Sequence, residues 1–380
     1  MKLIGYELRK IFNRKVLVFL ALFHVIFYFM YLEFSFKHFP NGRPDGDMHH
    51  VTIQMLGQYG ERMDKEEFED FKQQLTELEQ TADQLIKSDP YFKEYRVSSF
   101  EEFKQKSGEG ILPFEVNSYI YNHKERGDLI WEIAARESLI EQYESKNTAA
   151  ISDLNDEQLK KVEQYEQDGT FTSIFSGELM ENYRIQLGFL QILVLVSSMF
   201  LIIPLYIKDR NNGVIYLQYS SKAGRKHFLI KWAAAILAVT ILYAVQLSAF
   251  FMLYSDEIKS VFYFISINSY FNSWVGPYWY DLNFMEFILI TMGLLYVLLL
   301  LFTTVTALIS SLARNYVTII AALVPCVIWL LSPFFDMMLL RTASLYDPMI
   351  LQPLLYGAFI LIVVLFLRHR WRRERVGDLN

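Results

Sequence analysis

The sequence has almost no cysteine. Among its 380 residues only Cys326 is a cysteine, and it lies inside an apolar run. A disulfide within the chain is therefore impossible, so any part that folds outside the cell must be stabilised by hydrophobic burial. No group of cysteines and histidines has the spacing of metal ligands. The adjacent pair His49 and His50 is predicted to lie in a solvated loop rather than in a metal site.

The common signatures of catalytic sites are absent as well. The sequence contains no GxxxxGK[ST] phosphate-binding loop, so the chain does not hydrolyse ATP by that route. Motifs of the HExxH, GxSxG and DxDxDG types are also missing. These absences predict a chain that is not itself an enzyme and that carries no cofactor of its own.

Charge is distributed very unevenly along the chain. Residues 33–186 carry 32 of the 42 acidic side chains and 17 of the 36 basic ones, a net charge of −15, and the remainder carries +9. Soluble proteins rarely separate charge so cleanly along their length. The acidity of residues 33–186 fits either a well-solvated surface or a platform for cationic ligands such as basic peptides.

Long apolar runs dominate the rest of the sequence. A bilayer core about 30 Å thick needs roughly 20 apolar helical residues. Six stretches meet this requirement, over residues 16–35, 186–207, 229–254, 284–311, 316–335 and 349–367. The first follows a basic start, as a signal peptide does, but it lacks a small-residue cleavage site and continues into bulky residues. We therefore expect an uncleaved anchor.

Basic residues beside these predicted spans are asymmetric. With the N-terminus placed in the cytoplasm, 17 lysines and arginines lie inside, and the two short outer loops hold only Lys259 and Arg341. Because positive charge near span ends stays on the cytoplasmic side, this asymmetry predicts that both termini are cytoplasmic. It also predicts that residues 36–185 are extracellular, since long domains translocate largely regardless of their charge.

The extracellular domain is predicted to be mainly helical. Apolar residues recur every three or four positions over residues 64–88, which predicts an amphipathic helix that ends before Pro90. Ser99 and Glu102 fit a capping box at the start of a short helix. Similar apolar spacing predicts two further helices, over residues 129–143 and 154–165.

Two shorter segments complete the predicted topology. Residues 255–283 form an outer loop rich in aromatics, with a Gly276-Pro277 breaker that is typical of an interfacial loop or a half-embedded hairpin. Its aromatics fit an interfacial belt or a ligand-binding box. Residues 368–380 form a basic cytoplasmic tail.

The middles of the spans are predicted to lack ionisable residues. Glu286, Asp336 and Asp347 fall near the predicted outer ends. Transporters driven by ion gradients commonly keep acids in the membrane core. If this chain moves a substrate, the energy is therefore expected to come from elsewhere.

Residues 208–228, between the second and third predicted spans, are the most informative segment. A charged start leads to a short amphipathic stretch with Val214 and Leu217 on one side, flanked by Asn-Gly and Ala-Gly pairs. Such a segment forms a short helix along the membrane surface, with faces for lipid and for a cytoplasmic partner. Basic, turn-rich inner loops also occur without such a role.

This segment resembles a loop of the permease subunits of ABC-2 type ABC transporters. In that family an acidic residue is followed in order by Gly, Leu, Ser, Gly-Arg and Lys. The matching residues here are Asp209, Gly213, Leu217, Ser220 or Ser221, Gly224, Arg225 and Lys231. Residues 1–15 are similar to the family's amphipathic elbow helix, with one face formed by Ile4, Leu8, Ile11 and Phe12.

The resemblance implies an all-α membrane protein of the bacterial cell membrane, with six transmembrane helices, an elbow helix and a large insert. Two permeases, alike or different, would pair in the lipid, and two cytoplasmic ABC ATPase subunits with ATP and magnesium would bind beneath them. Residues 209–222 would form the coupling helix. Its expected contacts are Tyr216 and Leu217 by packing, Asp209, Arg210 and Arg225 by polar bonds, and the flanking Gly213 and Gly224.

Three functions remain open at this point. The first is an exporting permease for a hydrophobic or peptide-like substrate, such as an antimicrobial compound. The second is an ABC-type sensing or force-transmitting protein whose extracellular domain is the working part. The third is a membrane-embedded enzyme, for which no convincing set of paired acids or histidines is present at a span end. No nucleic acid partner is expected.

Overall fold

The computed structural model describes residues 2–121, 124–146, 154–214, 217–218, 224–272, 276–330 and 333–376. Over these residues the chain is 79% helical and forms no β-strand. Only isolated backbone bridges are present there, such as the one between Arg62 and Ser173. The predicted all-α class is therefore confirmed.

In the part of the chain that the structure describes, five helices are long and apolar enough to cross a membrane, which indicates a multi-pass membrane protein. They are called the first to fifth apolar helices below. They run over Arg14–Lys37, Gly177–Asn211, His227–Tyr254, Phe284–Leu312 and Leu351–Glu374. The shortest have 24 residues. At about 1.5 Å per residue, such a helix is longer than the bilayer core of about 30 Å.

The region predicted as a span over residues 316–335 has a different form. It contains an apolar helix of 15 residues, Tyr316–Leu330, with Pro325 inside it, and a second helix of seven residues, Pro333–Leu339. In the described residues, long apolar helices therefore account for five of the six predicted spans.

The chain divides into two compact units. The first unit comprises Met1–Lys37, Tyr183–Asp256 and Met285–Asn380, and the second comprises His38–Asn182 and Glu257–Phe284. Most of the predicted insert (36–185) and of the predicted loop (255–283) thus belongs to the same unit.

The first unit begins with a separate helix, Lys2–Ile11. Asn13 then caps the first apolar helix, because its side chain accepts a hydrogen bond of 3.1 Å from Val16 N. One π-helical turn, Tyr28–Leu32, lies inside that apolar helix. The second apolar helix consists of Gly177–Ile202 followed by Pro204–Asn211.

The second unit contains several amphipathic helices. They run over Asp45–Tyr59, Lys65–Ser88, Pro90–Glu94, Phe100–Gly108, Phe114–Tyr121, Lys124–Ser145 and Asp156–Gln167. The predicted helix over residues 64–88 is confirmed. Asp64 and Glu67 form a capping box at its start, and the helix ends at Ser88, two residues before Pro90. The two helices predicted over residues 129–143 and 154–165 are also present.

Two apolar cores stabilise the second unit. One surrounds Phe92, Phe103 and Val116. The other includes Phe71 and Leu139 and also buries Phe271, from the later part of the unit. The burial of these two sets of apolar side chains provides the hydrophobic stabilisation that a domain without disulfides requires.

Two local predictions in the second unit were wrong in detail. Ser99 caps its helix by accepting a hydrogen bond from Glu102 N, but the Glu102 carboxylate binds Ser98 N and Oγ rather than Ser99 N. His49 does not lie in a solvated loop. It is fully buried in the helix Asp45–Tyr59, with its Nδ1 2.8 Å from Ser176 Oγ. The helical period placed His49 on the inner face and left His50 exposed.

Candidate functional site

Asp209 lies at the centre of a buried ionic cluster at the join between the second and third apolar helices. Its residue is only 5% exposed, although it lies near the end of the helix Pro204–Asn211. Lys231, which is 1% exposed, donates to Asp209 Oδ2 at 2.5 Å and to Leu205 O at 2.8 Å. Because buried charges require partners, this pair fixes the two helices relative to each other.

The helix Lys2–Ile11 contributes to the same cluster. Lys10 Nζ lies 3.0 Å from Asp209 Oδ2 and 3.1 Å from Glu7 Oε1. The buried Glu7 carboxylate also faces Lys231, at 3.6 Å. Partial burial lowers the pKa of Lys10, but hydrogen bonds and charges from Asp209 and Glu7 outweigh it, so the pKa lies above its usual value. Three helices therefore meet at one ionic centre.

The loop after the second apolar helix joins this cluster too. Gln218 Nε2 donates to Asp209 Oδ2 at 2.8 Å. Its neighbour Leu217 is 73% exposed. Gln218 is thus bonded to the ionic cluster, while the residue before it in the loop is a large apolar one that is mostly exposed. Exposed large apolar side chains are unremarkable singly, but here one stands where a partner contact is predicted.

The cluster has ligand types that could bind a metal ion. One atom from each of Glu7, Asp209 and His227 lies within 4.8 Å of the others. However, Lys10 and Lys231 already balance the two carboxylates, so a divalent cation would have to displace two ammonium groups. The arrangement therefore fits an ion-pair network better than a metal site.

Arg210 links the end of the second apolar helix to the end of the fourth. Its guanidinium donates to Ala313 O and, at 2.8 Å, to Ser311 O. Carbonyls in the last turn of a helix lack partners within that helix, so the arginine satisfies them. Asp209 and Arg210 were both predicted as polar partners of an ATPase, and the structure places both in contacts within the first unit.

The remaining predicted coupling residues are only partly described. Gly213 adopts φ +68°, a backbone conformation that favours glycine. Gly224 is buried at the start of the turn Gly224–Lys226. Arg225 lies in this turn, with its side chain outside the described part. Tyr216, Ser220 and Ser221 are also outside the described residues.

The predicted face of the elbow helix is turned inward. Ile11 is buried, and Ile4, Leu8 and Phe12 are half-buried, although Phe12 follows the end of the helix Lys2–Ile11. Leu3 and Tyr6 on the same helix are exposed and apolar. Such a helix has one face for the rest of the unit and another that suits lipid.

The predicted basic tail contains a contact that the sequence did not reveal. The last helix continues through Val376, and the Glu374 carboxylate accepts a hydrogen bond of 3.0 Å from Phe228 N. Phe228 stands in the first turn of the third apolar helix, where backbone N–H groups lack helical partners. The only signal in the sequence was a single acid among five arginines.

The prediction that the span middles lack ionisable residues was wrong for one residue. His24 lies inside the first apolar helix, half-buried, with hydrogen-bonding contacts on two other helices. The prediction considered acidic residues, whereas histidine is neutral for much of the physiological range.

Comparison of the chain with protein-family models, with curated proteins and with solved structures finds no match. The function is therefore argued from the residues and their arrangement.

Proposed function

We propose that this chain is the membrane-spanning permease subunit of an ATP-driven ABC transporter of the ABC-2 type. Three features support the proposal. The described residues include five long apolar helices, the sequence carries the loop residues of that family in order, and it lacks a phosphate-binding loop of its own. ATP and magnesium would be bound by two separate cytoplasmic ATPase subunits, and a second permease would complete the assembly in the lipid.

The observation that carries the proposal is the ionic cluster around Asp209 beneath an exposed Leu217. A loop that transmits force from an ATPase must be connected stiffly to the helices that move. Asp209 joins Lys10, Lys231 and Gln218, and so fastens the loop to two apolar helices and to the N-terminal helix. Leu217, whose residue is 73% exposed, would contact a groove on the ATPase.

In this proposal the loop residues divide into two roles. Leu217 and Tyr216 contact the ATPase by packing, with Arg225 as a polar partner, whereas Asp209 and Arg210 hold the loop in place from within. Closure of the ATPases on ATP would push the fastened loop, tilt the second and third apolar helices, and alternate access to a path between the two permeases.

The proposed topology places both termini in the cytoplasm, a sixth span in the region 316–335 and residues 36–185 outside the cell. The basic residues at the span ends support this orientation. The proposed cargo is hydrophobic or peptide-like, such as an antimicrobial compound.

Co-purification tests this function. The tagged full-length chain, extracted from native membranes in a mild detergent, is expected to bring down an ATP-hydrolysing subunit that mass spectrometry identifies. Leu217→Asp puts a charge on the exposed contact and is expected to reduce recovery of that subunit at least about tenfold, since an apolar contact is replaced by a desolvated charge. The matched control is Phe114→Asp, at a residue of the second unit that is 80% exposed.

The two variants separate the outcomes. Loss of the ATPase with Leu217→Asp but not with Phe114→Asp supports the proposed coupling contact. Equal recovery with wild-type chain and Leu217→Asp would discard the assignment of Leu217. Absence of any ATPase from the wild-type preparation would discard the function itself.

A second candidate is an ABC-type sensing or force-transmitting protein. It is favoured by the second unit, which has two buried cores of its own and is far larger than a connecting loop. In that case, substitutions that destabilise the second unit would abolish the protection of cells against a panel of antimicrobial peptides. The ATPase activity of the purified complex would survive the same substitutions. A permease with an accessory domain would keep part of that protection.

A further inference from the structure

Three apolar helices meet at a small polar group around His24. His24 Nε2 lies 2.8 Å from Gln246 Nε2 on the third apolar helix and 3.5 Å from Ser197 Oγ on the second. Gln246 Nε2 also donates to Ser197 Oγ at 3.2 Å. Polar groups within apolar helices are expensive to bury, so a connected set of three is a candidate for function.

The donors and acceptors fix the protonation of His24 in this structure. The amide nitrogen of Gln246 can only donate, so His24 Nε2 must accept. The other ring nitrogen, Nδ1, lies 2.6 Å from Leu20 O, an acceptor, so Nδ1 must carry the proton. His24 is therefore the neutral imidazole protonated at Nδ1.

The same arrangement leaves one acceptor without a donor. Gln246 is only 6% exposed, and its Oε1 has no hydrogen-bond partner among the described residues. A buried acceptor without a donor costs about 1–3 kcal/mol. This oxygen belongs to the amide group that already contacts the ring.

One change would supply the missing donor. If His24 took up a second proton, Nε2 would become a donor, and rotation of the Gln246 amide by half a turn would bring Oε1 to it. Nδ1 would keep its bond to Leu20 O. The amide nitrogen would move away from Ser197, so Gln246 would lose the bond it donates to the second apolar helix, whereas its bond to the first would remain with the direction of donation reversed.

The surroundings contain few other titratable groups. The three packed helices have no Asp, Glu, Lys or Arg over residues 16–32, 185–207 and 232–254. The titratable side chains on those stretches, besides His24, are Tyr28, Tyr31, Tyr206, Tyr243 and Tyr254. Among the described residues, His24 contacts Gln246, Ser197, the carbonyl of Leu20 and the ring of Phe23, which are all uncharged.

We propose that His24 is a proton-binding residue of the first unit, and that the Gln246 amide rotates by half a turn when His24 becomes charged. The hydrogen bonds joining the first three apolar helices then have two alternative forms, selected by one proton. This inference depends on the contacts of His24 and stands whether or not an ATPase drives the chain.

Solid-state nitrogen NMR on the full-length chain in lipid vesicles tests the proposal. Phe23-His24 is the only Phe-His step in the sequence, so carbonyl-labelled phenylalanine with uniformly labelled histidine selects His24 without any substitution. At pH 8 we expect one protonated and one bare ring nitrogen, with the proton on Nδ1. As the pH is lowered, we expect the bare Nε2 to become protonated.

Two variants test the role of the amide. Gln246→Met keeps the length of the side chain but removes the acceptor, so Nε2 is expected to be protonated less readily than in the wild-type chain. Gln246→Glu has the same size with two acceptors, so Nε2 is expected to be protonated more readily. If only one variant folds, the spectrum of that variant alone tests the role of the Gln246 amide.

Three results would overturn the proposal. The first is a bare Nε2 in the wild-type chain down to pH 5. The second is a protonated Nε2 at pH 8. The third is a titration that neither variant shifts.

Discussion

Lys231 Nζ lies 2.5 Å from Asp209 Oδ2, at a point where both side chains are almost completely shielded from solvent. The two residues stand on either side of a loop, at the end of the second apolar helix and the start of the third. A buried ion pair adds little net stability when it replaces apolar packing, but removing one partner leaves a buried charge alone. The importance of this ion pair is therefore tested by removing one of its two residues.

Asp209→Asn is expected to destabilise the first unit by about 3 kcal/mol, since Lys231 loses its nearest carboxylate and keeps only Glu7 at 3.6 Å. The thermal unfolding midpoint in detergent, followed by intrinsic fluorescence, would fall. Glu33→Gln is the control, because Glu33 pairs with a mostly exposed Lys37 and such pairs contribute less than about 1 kcal/mol. Equal midpoints for the two variants would show that the cluster is not structural.

Glu102 gives a pH-dependent prediction in the second unit. Hydrogen bonds from Lys106 and from Ser98 lower its pKa to about 2, from a usual value of 4.5. A lowered carboxyl pKa stabilises the folded state above pH 4.5, and this contribution disappears as the pH falls from 4.5 towards 2. The destabilisation caused by Glu102→Gln should therefore be greatest near pH 7 and shrink below pH 4.5.

The measurement is the unfolding midpoint of the wild-type chain and of Glu102→Gln across this pH range. Glu101→Gln, at an exposed neighbour, provides the comparison. A gap between wild type and Glu102→Gln that stays constant from pH 7 to pH 3 would rule out the proposed hydrogen bonds as its cause.

Phe71 and Phe114 give a matched pair in the second unit. Phe71 is fully buried and packs in one of the two apolar cores, whereas Phe114 is largely exposed. Phe71→Ala is expected to destabilise this unit by about 3–5 kcal/mol, and Phe114→Ala by less than about 0.5 kcal/mol. Limited proteolysis of the full chain would show rapid cleavage within the second unit for Phe71→Ala alone. Similar cleavage rates would contradict the assignment of the core.

The spacing of apolar residues predicted much of this fold, because the position of an amphipathic helix depends on short-range periodicity in the sequence. The helix over residues 65–88 follows from apolar residues three and four positions apart, and its end follows from Pro90. The predicted span over residues 316–335 is described only as the helices Tyr316–Leu330 and Pro333–Leu339, so it stays a prediction.

The candidate site was predicted less completely, since it depends on contacts between distant parts of the chain. The sequence identified Asp209 and Arg210 as notable residues, but it did not reveal their internal partners, Lys10, Lys231 and the carbonyls of Ser311 and Ala313. Glu374 was missed for the same reason, since its partner Phe228 N lies 146 positions away along the chain.

The orientation of the chain in the membrane is the claim on which the proposed function depends most. It is tested with single cysteines in a Cys326→Ser background. Gln80→Cys lies on an exposed position of the second unit, and Arg373→Cys lies on an exposed position of the last helix. A membrane-impermeant maleimide added to intact cells is expected to label residue 80, and to label residue 373 only after the membrane is permeabilised. Labelling of residue 373 in intact cells, or protection of residue 80, would contradict the account.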